Sequence, residues 1–533
     1  MLPAHVSPRF EALRSSAQFA LVLMTLGCGS SSRSAQDPPA LVAAPSSVAP
    51  SEPSPAANPP PSAGAANSEG GPGSVMLEGS GGTSAGALPV PAGDDFVADV
   101  QVSVHPRVNT ILVVTWTQQL AADSTWLEFS FEDGNVLRSR PAPGALGAHR
   151  DVVLGTPGDT DVTLRIVNHQ PGGDFRSSDH AGRTRAVPSG ANGMPAATII
   201  SHDPALASPE RWLLGAVENS MGGCGPSCYN QWTYWTYIMD RKGRVVWYYA
   251  DPSSNATSSF QRRARDGEYL WIEKRPYGRP GPRAVLKLTL DSEYQEEIPV
   301  ANLADSIDIT DSGSLLYDAN EELREMAKDR SVRTIWSCPE QFGGDFECYT
   351  NTINWDAASD SVWMSYPEEN TVVQVSRQSG QLIASYGEAP GSYTFSPNTW
   401  QFEFQHFPNV TPAGTLLVSS HMPGFADTYT PVAGQHAFLE FEIDRQNRRL
   451  VEKWHYNEGP EWAMYKGMAI RLSNGNTLVN YGSGGVIREV TPDKQTAFHV
   501  KFDAPNGDDF YNKMVGHNEL IDDLYALNGG GPR

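Results

Sequence analysis

The stretch NGNTLVNYGSGGVIREVTP at residues 474–492 decides the fold, because its pattern returns along the chain. A turn that contains glycine joins two short apolar strands, and further polar turns lead to a third and a fourth strand. Six segments share this organisation: residues 211–250, 260–300, 306–336, 351–387, 402–456 and 468–502. Each segment predicts a four-stranded sheet that cannot bury both faces alone. Packing six sheets around an axis buries those faces, so residues 188–533 are predicted to form a six-bladed β-propeller.

A smaller all-β unit precedes the repeats. Residues 96–187 contain the short runs TILVVTWT (110–117) and WLEFSF (126–131), which are rich in β-branched and aromatic residues. Their spacing predicts a small β-sandwich. The tryptophan in these strands and the run VLGTPGDTDVTLRIV (153–167) make the unit resemble a fibronectin type III module, a fold that says little about function. The predicted fold class is all-β, with a six-bladed propeller preceded by a small sandwich.

The first 28 residues have the layout of a signal peptide. Arg9 and Arg14 precede the short apolar run FALVLMTL at residues 19–26, which is too short to span a bilayer permanently. Residues 26–29, LGCG, resemble the lipobox of bacterial lipoproteins, although Thr25 stands where that motif usually has leucine. The resemblance implies that Cys28 is lipidated and anchors the protein to a membrane of the cell envelope, on the periplasmic or extracellular side. A cleaved signal with an ordinary cysteine, which would give a secreted protein, is the alternative.

Residues 29–95 are dominated by serine, alanine, proline and glycine, with no aromatic residue between Phe19 and Phe96. Such a segment buries too little apolar surface to offset an ordering cost of roughly 1–2 kcal/mol per residue, so it is predicted to be a disordered tether. The whole chain has 39 Lys and Arg against 61 Asp and Glu, a formal charge of -22. A surface of this charge repels phosphates, and no basic run interrupts it, so nucleic acid is not an expected partner.

Four cysteines follow Cys28, in two close pairs. Outside the cytosol, this spacing favours the local disulfides Cys224–Cys228 and Cys338–Cys348. A zinc site at the first pair is the competing interpretation, but no histidine pair lies at zinc-finger spacing. No metal and no cofactor are therefore expected.

Three runs in the repeat region resemble the bacterial arylsulfotransferase family: VVQVSRQSG (372–380), FQHFPNVTPAGTLLV (404–418) and the stretch at 474–492. The similarity covers about residues 211–527 and is strongest after Tyr349. The resemblance implies a propeller whose funnel holds a nucleophilic histidine. It also implies transfer of a sulfuryl group from a phenolic sulfate to a phenol, without a nucleotide sulfate donor.

The resemblance assigns the nucleophile to His406. Tyr349 and Asn351 align with the family's His-x-Asn segment, with Tyr349 in place of the histidine, and Tyr366 aligns with an arginine of the family. The resemblance implies that these three residues contact the sulfuryl oxygens or the acceptor phenol. His421 is a further candidate for substrate binding. Two of these positions have tyrosine where the family has a basic residue, and a tyrosine hydroxyl carries no positive charge near neutral pH.

Whether the protein is an enzyme therefore stays open at this point. Losing one group that stabilises transition-state charge typically costs about 3–4 kcal/mol. The alternative is a non-catalytic propeller that binds an extracellular or cell-surface ligand, in which His406 bonds to a neighbouring blade. His436 is expected in the same blade's long loop, and His517 in a C-terminal tail with a capping or docking role.

Overall fold

The computed structural model describes residues 94–132, 136–190, 193–219, 233–250, 256–257, 261–263, 268–276, 282–421, 436–458, 463, 465–503 and 513–529. The predictions for Cys28, for residues 1–93 and for the Cys224–Cys228 pair lie outside these residues. Over the described ranges, no helix is both long and apolar enough to cross a membrane.

The sandwich is built from strands whose side chains alternate between a buried and a more exposed face, as in β2. Its described strands are β1 (Val97–Val104), β2 (Leu112–Gln118), β3 (Ala122–Ser130), β4 (Leu137–Arg138), β5 (Ala142–Gly144), β6 (Gly147–Val153), β7 (Asp161–Gln170), β8 (Gly173–Arg176) and β9 (His180–Arg183). Strands β1, β2 and β6 form one sheet and the others form the second. Trp116, Leu127 and Phe129 lie in the core between them.

The sandwich packs directly on the propeller, and both belong to the compact unit Ser84–Arg533. Thr110 Oγ1 donates to the carbonyl of Val246 at 2.7 Å. The Tyr525 hydroxyl donates to the carbonyl of Val152 at 2.9 Å. Apolar side chains of both parts share one core cluster, which includes Ile111 and Trp247.

Six further sheets, all within the described part of the chain, form the blades of the propeller, which confirms the predicted fold. After β10 (Ala197–His202), blade 1 contains β11 (Trp212–Asn219), β12 (Thr233–Asp240) and β13 (Val245–Tyr249). Blade 2 contains β14 (Ala256–Thr257), β15 (Gln261–Arg263), β16 (Leu270–Pro276), β17 (Ala284–Leu288) and β18 (Gln295–Pro299). Blade 3 contains β19 (Ile307–Ile309), β20 (Leu315–Asp318), β21 (Glu322–Met326) and β22 (Val332–Ser337).

The remaining blades follow in chain order. A short helix α1 (Cys338–Phe342) precedes blade 4, which contains β23 (Thr352–Asp356), β24 (Ser361–Tyr366), β25 (Thr371–Ser376) and β26 (Leu382–Gly387). Blade 5 contains β27 (Thr394–Phe395), β28 (Glu403–Val410), β29 (Leu416–His421), β30 (His436–Asp444) and β31 (Arg449–Tyr456). Blade 6 contains β32 (Met468–Arg471), β33 (Thr477–Asn480), β34 (Val486–Val490) and β35 (Thr496–Phe502), and β36 (Val515–Ile521) follows. Short 3-10 helices cover Pro367–Glu369, Gly482–Gly484 and Tyr525–Leu527.

Two long-range pairings close the ring. Strand β36 pairs with β11 and is the innermost strand of blade 1, while β10 pairs with β35 and extends blade 6 at its outer edge. Asn480 of blade 6 also donates to the carbonyl of Gly516 in β36, at 2.7 Å. The sequence prediction placed His517 in a C-terminal tail, and this was wrong: His517 lies on the innermost strand of blade 1, because the chain end completes the first blade.

The Cys338–Cys348 disulfide is confirmed, with 5.7 Å between the two Cα atoms. It closes the segment between blades 3 and 4. Phe342 and Phe346, which lie within this segment, stack on each other with ring centroids 4.3 Å apart. The disulfide therefore holds the rings of Phe342 and Phe346 against the core cluster that blades 3 and 4 share.

Candidate functional site

The polar residues of interest meet on one face of the propeller, which we call the upper face. It is the face where the innermost strand of each blade begins and the second strand ends, because the two strands are antiparallel. His406 lies near the beginning of β28, and Lys466 precedes β32 by two residues. Glu273 and Arg275 lie near the end of β16, and Asp305 precedes β19 by two residues.

His406 projects from an irregular part of its strand. The pairing of β28 with β29 shifts register on both sides of His406, and Phe404 and Phe407 have positive φ angles of 45° and 57°. Bulges of this kind turn a side chain out of the regular pleat and occur next to active sites. The backbone distortion therefore marks His406 as a residue with a special orientation.

The imidazole of His406 is held in one protonation state. Its Nδ1 lies 2.9 Å from the carbonyl oxygen of Gly467. Since a carbonyl oxygen only accepts, Nδ1 carries the proton and Nε2 carries the lone pair. Burial, together with the positive charge of Lys466, lowers the pKa of His406 to about 3. His406 is therefore neutral at physiological pH, with a nucleophilic nitrogen directed away from Gly467.

A small cavity adjoins this imidazole. Its volume is about 10 Å³, the room that one water molecule needs. The residues that line it come from blades 5 and 6 and from the closing strand: His406, Phe407, Lys466, Gly467, Met468, Asn480, Gly516 and His517. His406 and Lys466 therefore share one cavity.

Lys466 is a cation that the sequence did not reveal. Its Nζ donates to the Tyr234 hydroxyl at 2.7 Å. Burial lowers the pKa of Lys466 to about 8, although the nearby carboxylates of Glu218 and Glu273 favour its charged form. Lys466 therefore supplies a positive charge beside His406 at neutral pH.

A network of charged groups from blades 2 and 3 acts electrostatically on Lys466, and one of them, Asp305, also acts on His406. Arg275 Nε donates to Glu273 Oε1 at 3.0 Å, and Arg275 also pairs with Asp305. The backbone N–H of Asp305 donates to Asp318 Oδ2 at 3.1 Å. Burial raises the pKa of Glu273 to about 7 and raises that of Asp318 well above its usual range. The upper face thus holds both cations and a carboxyl group, that of Glu273, able to exchange a proton near neutral pH.

Arg262 contacts two of the residues that line the cavity, Phe407 and His517. It lies on β15, is 8% exposed, and donates to Asn354 Oδ1 at 2.7 Å and to the carbonyl of Ile307 at 3.2 Å. Its Nη1 lies 2.7 Å from His517 Nε2. Its guanidinium lies over the ring of Phe407, 5.3 Å from the centroid. Arg262 joins the innermost strands of five blades and so fills the centre of the ring.

The other residues predicted from the sequence lie in different surroundings. Asn351 Nδ2 donates to the carbonyl of Gln405 at 3.0 Å, so it supports the backbone next to His406. Tyr349 is 47% exposed. Tyr366 is 1% exposed and packs in the core against Trp336, with ring centroids 6.1 Å apart. Neither tyrosine lines the cavity of His406, and the burial of Tyr366 argues against the ligand contact predicted for it.

His421 and His436 form a buried pair behind the cavity. Their ring centroids are 5.7 Å apart, and His436 Nε2 lies 3.0 Å from Ser419 Oγ. Burial lowers the pKa of His421 to about 4 and that of His436 well below its usual range. His421 is therefore a buried neighbour of His436 and not a lining residue of the cavity.

No protein-family description and no curated protein matches this chain. Solved structures do match, at low identity. Virginiamycin B lyase from Staphylococcus aureus is 12% identical with a TM-score of 0.27, over 46% of this chain and 69% of the lyase. Kluyveromyces lactis Hsv2 is 11% identical with a TM-score of 0.30, over 66% and 93%. The nidogen–laminin complex gives 9% identity and a TM-score of 0.35, over 58% and 97%.

These likenesses carry no argument about activity. Within the described residues, no three side chains of the metal-binding types come together to hold an ion.

Proposed function

We propose that the protein transfers a sulfuryl group from a phenolic sulfate to a phenol, with His406 as the transient acceptor. The observation that carries the proposal is the anchoring of His406 Nδ1 by the Gly467 carbonyl, which directs a neutral Nε2 lone pair away from its support. An imidazole held in this tautomer is a competent nucleophile, because no proton has to be removed before it attacks.

The proposed reaction has two displacements. In the first, His406 Nε2 attacks the sulfur, the bond between sulfur and the aryl oxygen breaks, and a phenolate leaves. In the second, the oxygen of the acceptor phenol attacks the same sulfur and the bond between nitrogen and sulfur breaks. The acceptor loses its proton to a base, so the neutral imidazole and an aryl sulfate are regenerated.

Lys466 and Asp305 fit the remaining roles. Lys466 lines the same cavity as His406, and its positive charge acts on the imidazole, so it would stabilise the negative charge of the sulfuryl oxygens during transfer. Asp305 is a partly exposed carboxylate whose charge acts on both His406 and Lys466. It would accept the proton of the second phenol.

The experiment compares release of nitrophenolate from para-nitrophenyl sulfate, with phenol as acceptor, by the wild type, His406→Gln and His455→Gln. His455 is the matched control, because it lies on outer strand β31 of the same blade and bonds to Glu452. We expect His406→Gln to lose at least about 100-fold in rate and His455→Gln to keep the wild-type rate. Equal rates for the two variants would refute the role of His406.

A non-catalytic propeller is the second candidate. The small cavity of about 10 Å³ favours it, and so does the bond of His406 to Gly467, which leads into the neighbouring blade. An aryl sulfate does not enter such a space unless the surrounding groups move. No release of nitrophenolate by any of the three folded proteins would support ligand binding without catalysis.

For the location, we propose a lipid anchor on Cys28 at the cell envelope. Metabolic labelling with a fatty acid should label the wild type but not Cys28→Ser. Equal labelling of both would refute the anchor.

A further inference from the structure

A second cavity opens between blades 2 and 3, on the face opposite His406. Its volume is about 350 Å³, which lies within the range of small-molecule sites. Ile309, at the end of β19, and Met326, at the end of β21, lie at its wall. Both strand ends are on the lower face of the propeller, so this cavity is separate from the candidate site on the upper face.

Tyr269, Trp271 and Lys287 line this cavity, and the ring of Tyr294 packs against that of Tyr269, with the centroids 5.0 Å apart. The Nζ of Lys287 lies 3.9 Å from the ring centroid of Tyr269, 5.4 Å from that of Trp271 and 5.5 Å from that of Tyr294. Cation–π contacts at these distances hold a lysine in place. Lys287 is thus a positioned charge over an aromatic wall.

The charged groups around the cavity are unbalanced in an acidic protein. Among the described residues that line the cavity, the cations are Lys287, Lys328 and Arg330 and the carboxylates are Glu268 and Glu296. Glu296 accepts from the Tyr294 hydroxyl at 2.6 Å and also pairs with Arg330. The cavity therefore offers an excess of positive charge together with carboxylate oxygens that accept hydrogen bonds.

One lining group has an unmet hydrogen bond. The indole N–H of Trp271 is buried and has no acceptor among the described residues, and Trp271 lines the cavity. Buried donors in folded proteins normally have a partner. The nitrogen has almost no accessible surface, however, so it lies within the wall of the cavity and a ligand reaches it only if that wall moves.

We propose that this cavity binds an acidic saccharide, with a hexuronate as the recognised unit. The apolar face of a sugar ring packs on the aromatic side chains of the lining, Tyr269 and Trp271, and sugar hydroxyls donate to carboxylates such as Glu296. The carboxylate of the sugar pairs with the cations around Lys287. An aryl anion would make no use of the carboxylates, and a neutral sugar would make no use of the excess cations.

The test measures binding of methyl β-D-glucuronide and methyl β-D-glucoside to the full-length protein by calorimetry and saturation-transfer NMR. The two ligands differ only in a carboxylate against a hydroxymethyl group. We expect the glucuronide to bind at least about tenfold more tightly, and its affinity to fall as salt is added. Benzoate, which carries the charge without the sugar, should bind more weakly than the glucuronide.

Variants locate the site. Lys287→Met should weaken glucuronide binding about tenfold or more, while Lys453→Met, which removes a surface lysine paired with Glu442, should leave it unchanged. Lys328→Met alters only an exposed side chain of the β21–β22 turn and should also weaken binding, so the proposal remains testable if Lys287→Met does not fold. Three results would overturn the proposal. The first is equal affinity for the glucuronide and the glucoside, and the second is benzoate binding as tight as that of the glucuronide. The third is wild-type glucuronide affinity in folded variants at Lys287 and Lys328. None of these results depends on sulfuryl transfer.

Discussion

Gly467 is the support of His406, and replacing it with alanine tests that arrangement directly. The residue has a φ of +108°, which side chains rarely adopt. A Cβ added there would lie closer to Ser419 Oγ than real contacts allow, and 3.1 Å from Cε1 and Nε2 of His436. Backbone strain of about 1–3 kcal/mol adds to an overpacking cost of about 1–3 kcal/mol. We therefore expect Gly467→Ala to lower the free energy of unfolding by about 2–6 kcal/mol.

Gly414→Ala is the matched control, because Gly414 has a φ of +78° but a Cβ added there would meet no atom of the described residues within 4 Å. It should show the strain alone, about 1–2 kcal/mol. Urea unfolding followed by tryptophan fluorescence measures both variants. Because the carbonyl of Gly467 moves with the strained backbone, Gly467→Ala should also lose sulfuryl transfer, which Gly414→Ala should keep. Equal stability losses for the two variants would refute the packing of Gly467 on Ser419 and His436.

Three further results are expected. Activity should fall as pH rises through about 8, because Lys466 then loses its charge. In Lys466→Arg this fall in activity should occur at higher pH. A fall at the same pH in the variant and the wild type would contradict the role of Lys466. The pKa of His421 is lowered from its usual value of 6.5 to about 4 in the folded protein. As pH falls below about 6.5, the unfolded chain therefore binds a proton at His421 while the folded protein does not. Stability should therefore be full above that pH and decline towards pH 4 by up to about 1.4 kcal/mol per unit from this residue, and unfolding curves of His421→Gln should show a shallower decline than the wild type. Replacing both Cys338 and Cys348 with serine should cost about 3 kcal/mol of unfolding free energy through the entropy of the short loop that they close, and an unchanged urea midpoint would contradict this.

The blades could be predicted from the sequence because, apart from β36 in blade 1 and β10 in blade 6, each is made by strands that are neighbours in the chain. A glycine turn such as that at Gly475 has a positive φ, here 89°, and joins two apolar strands, and turns of this kind recur along the chain. The closing strand could not be predicted, since β36 pairs with β11, about 300 residues away, and local pattern does not report such a pairing. The misplacement of His517 follows from that.

The site was predicted in part. The motif singles out His406 as a candidate, and its place on an innermost strand follows from the repeat. Lys466 lies in a segment between blades with no signal of its own, so the positive charge beside His406 was missed. Tyr366 was placed in the site by position along the chain, but its ring turns into the core of blade 4. Side-chain direction at the end of a strand is set by packing, which a single sequence does not reveal.

The most direct measurement is the intact mass of the protein after a rapid alkaline quench during turnover of para-nitrophenyl sulfate without an acceptor. A nucleophilic His406 predicts a gain of the mass of one SO3 unit, located on His406 by peptide mapping and absent from His406→Gln. Release of nitrophenolate by the wild type with no added mass, or with the mass on another residue, would contradict transfer through this imidazole.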